Sequence, residues 1–439
     1  MTEKLNIYIE TYGCQMNEYD SELVASIVSN GGGAITKSDE AADVILINTC
    51  AVRETAHLRI YGRLQELKKK KTQKGRALTI GILGCMAQNL RQELLDSHDE
   101  IDFIAGPDSY RELPRLIGDA RAGGGRMAAL RLSREETYSG VSPVRSSGVN
   151  AWVAVMRGCD NMCSFCVVPM ARGRERSRDP RGVVDEVRAL AREGYRQVTL
   201  LGQNVNSYRY ETYDFADLVK MVADIPDIYR VRFAAPHPKD FPAELIRVIA
   251  GHPKVCGHIH LPLQAGNNRI LELMNRTYTI EAFEDLVREL RQAITGVSIT
   301  TDVIVGFPGE TDEEYEGTFR AMERIRFDAA FIFKYSERMG TYAAKHYHDD
   351  VPAKTKTERI VRLVELQKQI TGEINQKLVG KIFEILVEGP AAKDHKLLSG
   401  RTDNFKNTVF PQNDRKIGDL VRVTVEKSRG GTLYGREGL

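Results

Sequence analysis

Three stretches near the start of the chain share one hydrophobic pattern: a short β-rich apolar run, a turn residue, then a cysteine. LNIYIETYGC ends at Cys14, ADVILINTC at Cys50 and ALTIGILGC at Cys85, and such runs predict strands. Their cysteines stand 36 and 35 residues apart, about one strand–helix–strand step. Helical patterns fill the intervals at 18–30, 53–69 and 88–96, and IDFIAGP at 101–107 predicts a fourth strand. The alternation predicts an open, mostly parallel α/β sheet. Ligands gather beyond the carboxyl ends of strands in such sheets, and all three cysteines fall at that edge.

Residues 121–150 are rich in Gly, Ser and Arg and read as a linker. From Trp152 the alternation resumes, with strands expected at 151–157, 197–202, 230–235, 257–263, 298–305 and 328–335. Helical patterns follow most of them, at about 180–193, 241–250, 267–275, 280–295 and 311–325. Six such units predict a full or partial barrel, with ligands at its C-terminal mouth. A long helical pattern at 353–378 leads to KIFEILVEGP, FKNTVFP, DLVRVTVEKS and GTLYGREG, short strands that predict a small closed all-β barrel. Three domains result: 1–145 including the linker from about 121, 146–375 and 376–439. A length of 439 residues gives the same count at about 150 per domain.

Hydrophobic residues make up 42% and charged residues 28%, which excludes collagen-like, disordered and coiled-coil classes. Lys and Arg total 62 against 60 Asp and Glu, so no global field points to nucleic acid or membrane. No run approaches the roughly 18 apolar residues of a membrane span. The start, MTEKLNIYIE, lacks the features of a signal peptide, and a cytoplasmic protein without membrane contact is expected. Its seven cysteines would then be reduced, which favours metal or redox chemistry over structural disulfides.

RGCDNMCSFC places Cys159, Cys163 and Cys166 in a C-x3-C-x2-C spacing after a strand. Iron–sulfur clusters are normally held by four cysteines, and the next one, Cys256, lies ninety residues on. Three thiolates would leave one iron open, as a substrate-binding metal site requires. A structural zinc site is the competing interpretation, but zinc ligands come as two close couples and no second couple follows. Cys14, Cys50 and Cys85 repeat the arithmetic. A cysteine at a strand end is often a small buried hydrophobe, yet three at matched positions point to a second metal site, again with an open iron. Cys256 reads as a buried, non-ligating thiol.

The C-x3-C-x-Φ-C motif, with Phe165 as its aromatic residue, resembles that of the radical S-adenosylmethionine (SAM) enzymes, which implies that the central α/β domain is a partial (β/α)6 barrel. TYGCQMNEYDSE, INTCAVRETA and ILGCMAQ resemble the amino-terminal domain of the methylthiotransferases, and LVEGP, SGRTDNFKNTVF and LYGREGL their terminal TRAM domain. RGCDNMCSFCVVP with RGRERSR, and LLGQNVNSY, look most like the tRNA-2-methylthio-N6-dimethylallyladenosine synthase branch. Met170-Ala171 and Ala265 depart from the Tyr-Thr and Ser usual there. The resemblance covers essentially the whole chain.

It implies two [4Fe-4S] clusters, with SAM as both methyl donor and radical source. The expected reaction inserts sulfur at C2 of N6-isopentenyladenosine at tRNA position 37, beside the anticodon, and methylates it. Such a C–H bond is too inert for side-chain acid–base work, so the cofactor must supply the radical, and no catalytic residue is expected beyond the cluster ligands. The alternative within the resemblance is the same chemistry on threonylcarbamoyladenosine in tRNA or on a ribosomal protein. Partners would be the tRNA, a flavodoxin- or ferredoxin-like reductant and a sulfur source. Outside it stand a two-cluster electron carrier and a zinc-bearing RNA-binding module.

Beside Phe165, expected SAM contacts are Gly202, Gln203, Asn204, His237, Gln264 and Gly306, all at ends of expected strands; Gly306 and His237 also suit plain turn and loop roles. Arg172, Arg174, Arg176 and Arg178 follow the cysteine loop, where arginine forks suit RNA phosphate. Arg401, Lys406 and Arg436, with Phe405 as a stacking ring, are expected RNA contacts in the terminal unit. KKKK at 68–71 reads as a solvated helix end, and His57, His98, His252, His258 and His260 as structural.

Overall fold

The structure, a computed structural model, describes residues 4–51, 54–73, 78–145 and 148–438. The side chain of His57 and the expected boundary at 145/146 fall outside them. The chain forms two compact units: residues 1–146, 154–178 and 338–345, and residues 147–153, 179–337 and 346–439.

The first unit is built on a six-stranded sheet: β1 (Asn6–Tyr12), β2 (Ala34–Ile35), β3 (Val44–Thr49), β4 (Thr79–Gly84), β5 (Phe103–Ala105) and β6 (Met127–Ala129). Its order is β2-β1-β3-β4-β5-β6, and every pairing is parallel. β3 and β4 are buried at every position. Central strands covered on both faces read as unbroken apolar runs, which is why the sequence marks them so clearly. Helix Glu54–Gln73 puts Ile60, Leu64 and Leu67 into one core with Ile45, Ile47, Ile80 and Ile82. Lys68, Lys70 and Lys71 of that helix pair with Asp99, Asp39 and Asp102.

β6 lies inside the stretch expected as a linker. Its residues, Met-Ala-Ala, carry no β-branched or aromatic side chain, so only the register with β5 reveals it. Residues 154–178 add an antiparallel pair, Met156–Arg157 with Arg176–Ser177, and the short helix Val168–Arg172.

In the second unit, strands Asn150–Ala154, Gln197–Leu201 and Arg230–Ala234 form one sheet. His258–His260, Ser298–Val305 and Ala329–Lys334 form another. A parallel bridge from Val231 to Val255 leads from the first to the second, so the expected six βα strands follow in sequence order. Helix Phe215–Ala223, not among the expected ones, is begun by a capping box between Asp214 and Asp217. Asp179, Thr279 and Thr311 likewise cap helices Pro180–Arg192, Ile280–Ala293 and Asp312–Ile325.

The chain ends in a closed five-stranded barrel in the order Ile382–Ala391, Asp394–Arg401, Asn407–Pro411, Thr432–Glu437, Leu420–Arg429. The second of these was not expected. DHKLLSGR is polar and half-exposed, and hairpin pairing with the first strand makes it a strand. Within this unit Arg230 and Arg232 donate to the carbonyls of Arg401, Thr402 and Asp403, tying the barrel's 401–406 turn to the βα strands.

Candidate metal centre

β1, β3 and β4 are neighbours in the sheet, with Tyr12 opposite Thr49 and Thr49 opposite Gly84. Cys14, Cys50 and Cys85 therefore follow three adjacent strand ends, and strands lie about 4.8 Å apart. Cys14 caps helix α1 (Gln15–Asn30), and Cys85 opens helix Cys85–Leu90. The exposed amides of helix starts favour thiolate there. Gly84 has φ +88°, and a Cβ on it would lie 2.7 Å from the Thr49 carbonyl and closer still to Asn48 Oδ1. Only glycine lets the chain turn from β4 into the cysteine helix this tightly.

Asn17, fully buried, organises the row. Its amide donates to Thr49 O (3.1 Å) and Asn48 Oδ1 (3.2 Å), and its carbonyl accepts from the Cys14 amide (3.2 Å). The hydrogen bond with Cys50 lowers the Cys14 thiol to about 6 against the opposing effect of burial, helped by the Arg172 cation and the Asn17 and Met16 amides. Burial pushes Cys85 up, against the pull of Arg172. Arg172 Nε stands 3.2 Å from Cys85 Sγ, and its Nη2 pairs with Asp20 at 2.7 Å.

The second triad occupies the loop after Met156–Arg157. Gly158, at φ +81°, passes so close to Gly173 and Arg174 that a Cβ would lie 2.8 Å from the Gly173 carbonyl. The Cys159 amide donates to that carbonyl (3.1 Å), and the Cys166 amide closes a turn onto Cys163 O (3.0 Å). Cys159 is buried and its thiol pushed up to about 12 by burial. Cys163, Phe165 and Cys166 are half-buried. The Ala343 amide bonds Ser164 O at 2.7 Å, fixing the loop from its far side.

Among the described residues, no three His, Cys, Asp or Glu side chains close around a single ion position. In a cubane each cysteine binds a different iron, so the thiolates of a triad stand wider than around a single zinc ion. The donor sets themselves, soft and all-sulfur on loops at strand ends, fit iron–sulfur clusters.

Phe165 belongs to the first unit; the other expected SAM contacts lie in the second, each past the carboxyl end of a strand. Gly202, Gln203 and Asn204 follow Gln197–Leu201, and Asn204 Nδ2 bonds Asp240 at 2.9 Å. Gln203 Oε1 is buried without a hydrogen-bond partner among the described residues. His237 follows Arg230–Ala234; burial, with Arg276 and Lys239, lowers its pKa to about 2. Gln264 is bridged to Val303, and the Gly306 amide donates to Glu310 at 2.6 Å. Glu310 was not expected. It is buried against Arg359 (2.6 Å), and burial pushes it up to about 7. Its signal was its place in DVIVGFPGE, four residues past Gly306.

Four expected RNA contacts are corrected. Arg172, Arg176 and Arg178 are buried: Arg172 on Asp20, Arg176 on Asp108, and Arg178 on the Ala154 carbonyl and Tyr19 hydroxyl. Lys406 is buried on Asp328 at 2.5 Å. Charges already paired in the interior are unavailable to phosphate. Phe405 stacks on His258 (ring centres 4.5 Å apart), with the Arg401 and Arg232 guanidinium carbons 4.4 and 4.9 Å from its centre, and the residue remains 38% exposed. Arg174 and Arg436 lie at the surface in weak pairs with Asp160 and Glu426, and Arg401 is partly exposed beside Glu388. Cys256 is buried, its thiol pushed up by burial. His98 bonds Glu100, His252 bonds Asp224, and His258 and His260 share Thr300.

Residues 153–322 match the Radical SAM superfamily, residues 376–436 the TRAM domain, and residues 6–106 the Uncharacterized protein family UPF0004. The sequence is 45% identical over 443 residues to a tRNA-2-methylthio-N(6)-dimethylallyladenosine synthase of Porphyromonas gingivalis, across 99% of this chain and 95% of that protein. It is 45% identical over 437 residues to the protein of that name from Chlorobium phaeobacteroides, across 99% and 97%. Among solved structures, the radical S-adenosylmethionine methyltransferase TsrM from Kitasatospora setae, with cobalamin and a [4Fe-4S] cluster bound, is similar at TM-score 0.58 and 16% identity. That likeness covers 78% of this chain and 74% of TsrM and is one of fold.

Proposed function

Since the chain belongs to the tRNA-2-methylthio-N(6)-dimethylallyladenosine synthase family, we propose that it inserts sulfur at C2 of N6-isopentenyladenosine, at position 37 of tRNA, and methylates it. It is a radical-SAM tRNA methylthiotransferase, and its cofactors are [4Fe-4S] clusters and S-adenosylmethionine. The observation that carries this is identity near 45% spread over the full length, so that all three family regions are present together.

We assign Cys159, Cys163 and Cys166 to the cluster that cleaves SAM and Cys14, Cys50 and Cys85 to the one that presents sulfur. When bound, the first supplies the electron for radical formation and the second the sulfur. The chain's own residues bind and shield. Ala51, Cys85, Val167 and Ala171 form an apolar cluster that keeps water from the front row. Asn17 and Gly84 fix the spacing of its thiols. Phe165, Gly202, Gln203, Asn204, His237, Gln264 and Gly306 are proposed to hold SAM, with the buried Gln203 Oε1 supporting a missing polar partner there. Arg174, Arg401 and Arg436 are the surface cations proposed to meet RNA phosphate.

The division into 1–145, 146–375 and 376–439 is retained as three functional regions. No helix among the described residues is long and apolar enough to cross a membrane. Action in the cytoplasm, with a flavodoxin- or ferredoxin-like reductant and a separate sulfur source, completes the proposal. Mass spectrometry of tRNA nucleosides from cells lacking the protein tests it: 2-methylthio-N6-isopentenyladenosine should vanish, its unmodified precursor accumulate, and re-expression restore it. Loss of a methylthiolated threonylcarbamoyladenosine would transfer the assignment to the other branch.

A further inference from the structure

We propose that Arg172 is a positioning residue for the front cluster, holding its charge and reduction potential through the hydrogen bond to Cys85. This rests on the assignment of Cys14, Cys50 and Cys85 to a cluster. Arg172 lies six residues beyond Cys166, at the end of helix Val168–Arg172, so the segment that carries one cysteine triad delivers a cation to the other. Its Nε is 3.2 Å from Cys85 Sγ and its Nη2 2.7 Å from Asp20. Its Nη1 is buried with no hydrogen-bond partner among the described residues.

The surrounding charges do not balance. Among the described residues, Arg157, Arg172 and Arg176 face two carboxylates: Asp20, ion-paired with Arg157 (2.9 Å) and Arg172, and Asp108, ion-paired with Arg176. Within this cluster of described residues, three cations against two carboxylates leave one excess positive charge. Interiors do not keep unpaired charge without compensation. The adjacent thiol row is where an anion belongs, and three thiolates around a cluster supply one. The apolar cluster of Ala51, Val167 and Ala171 around Cys85 keeps the local dielectric low, which strengthens a fixed charge on a ligand sulfur. Hydrogen bonds and charges at ligand sulfurs are how proteins set cluster potential. A cation there stabilises the added electron, and Asp20, which holds Arg172 in place, opposes it.

The test uses the full chain with Cys159, Cys163 and Cys166 replaced by alanine, so that only the front cluster remains, reconstituted with iron and sulfide and titrated under spectroscopic monitoring. Arg172→Gln should shift the potential to more negative values, Arg172→Lys by less, and Asp20→Asn to less negative values. Shifts of opposite sign are not produced by loosened packing. An unchanged potential in any loaded variant among Arg172→Gln and Asp20→Asn overturns the proposal. So does failure of both to take up iron, which would make the pair structural only. A parent that binds no iron and sulfide would instead reject the cluster assignment.

Discussion

The Asn48 side-chain oxygen lies so close to Gly84, across adjacent strand ends, that no Cβ fits there, with Gly84 held at φ +88°. Gly84→Ala should cost about 2 kcal/mol or more, from the left-handed backbone and the displaced Asn48. It should also lower iron content toward that of one cluster. Gly32, at φ +92° with open space where a Cβ would sit, is the control. Gly32→Ala should cost about 1 kcal/mol and leave iron unchanged. Thermal melting and iron-to-protein ratios decide between them.

Cys159→Ala should abolish reductive cleavage of SAM, whereas Cys14→Ala should retain cleavage and lose sulfur insertion. Assays for 5′-deoxyadenosine and for methylthiolated nucleoside separate the two. Methylthiolated product from the Cys14 variant would refute the division of labour between the triads.

Lys406 and Arg436, both in the terminal barrel, should behave in opposite ways. Lys406→Met leaves the half-buried Asp328 without its cation, with only the Ile299 amide among the described residues still donating to it, and should cost about 1–3 kcal/mol. Arg436→Gln, at the surface, should change stability by less than about 0.5 kcal/mol. It should weaken tRNA binding and reduce the salt slope by about 1. Denaturant melts and salt-dependent tRNA binding check the pair.

His237 gives the second unit an acid limit. Burial keeps it neutral in the fold, down to about 2, while the unfolded chain takes up its proton near 6.5. Its contribution is therefore complete above pH 6.5 and is lost as pH falls from there toward 2, at most about 1.4 kcal/mol per pH unit. Urea midpoints of the cluster-free chain at pH 7 and 5 should fall less in His237→Asn, whose amide oxygen can still accept from the Lys239 amide in place of Nδ1. An identical fall would show that His237 does not take part.

What the sequence shows well is whatever burial writes as an uninterrupted pattern. β3 and β4 are strands whose apolar runs require no knowledge of their neighbours. Elements defined by pairing alone were missed: β6, because Met-Ala-Ala carries no local preference, and Asp394–Arg401, because its side chains are polar. The arginines show the same limit. ARGRERSR is an exposed basic run by composition, yet only Arg174 of its four expected contacts stays outside, because Asp20 and Asp108 draw Arg172 and Arg176 inward from 152 and 68 residues away in the chain.

By itself, then, the sequence determined the strand ends that bear cysteines, the two three-cysteine sets and the family to which they belong, because spacing and apolar runs are local properties of a chain. Tertiary structure decided which charges are free. Whether an arginine meets solvent, a carboxylate or a thiol depends on partners that only folding brings within 3 Å, and Arg172 against Cys85 is the case where that decision changed the chemistry assigned to a residue.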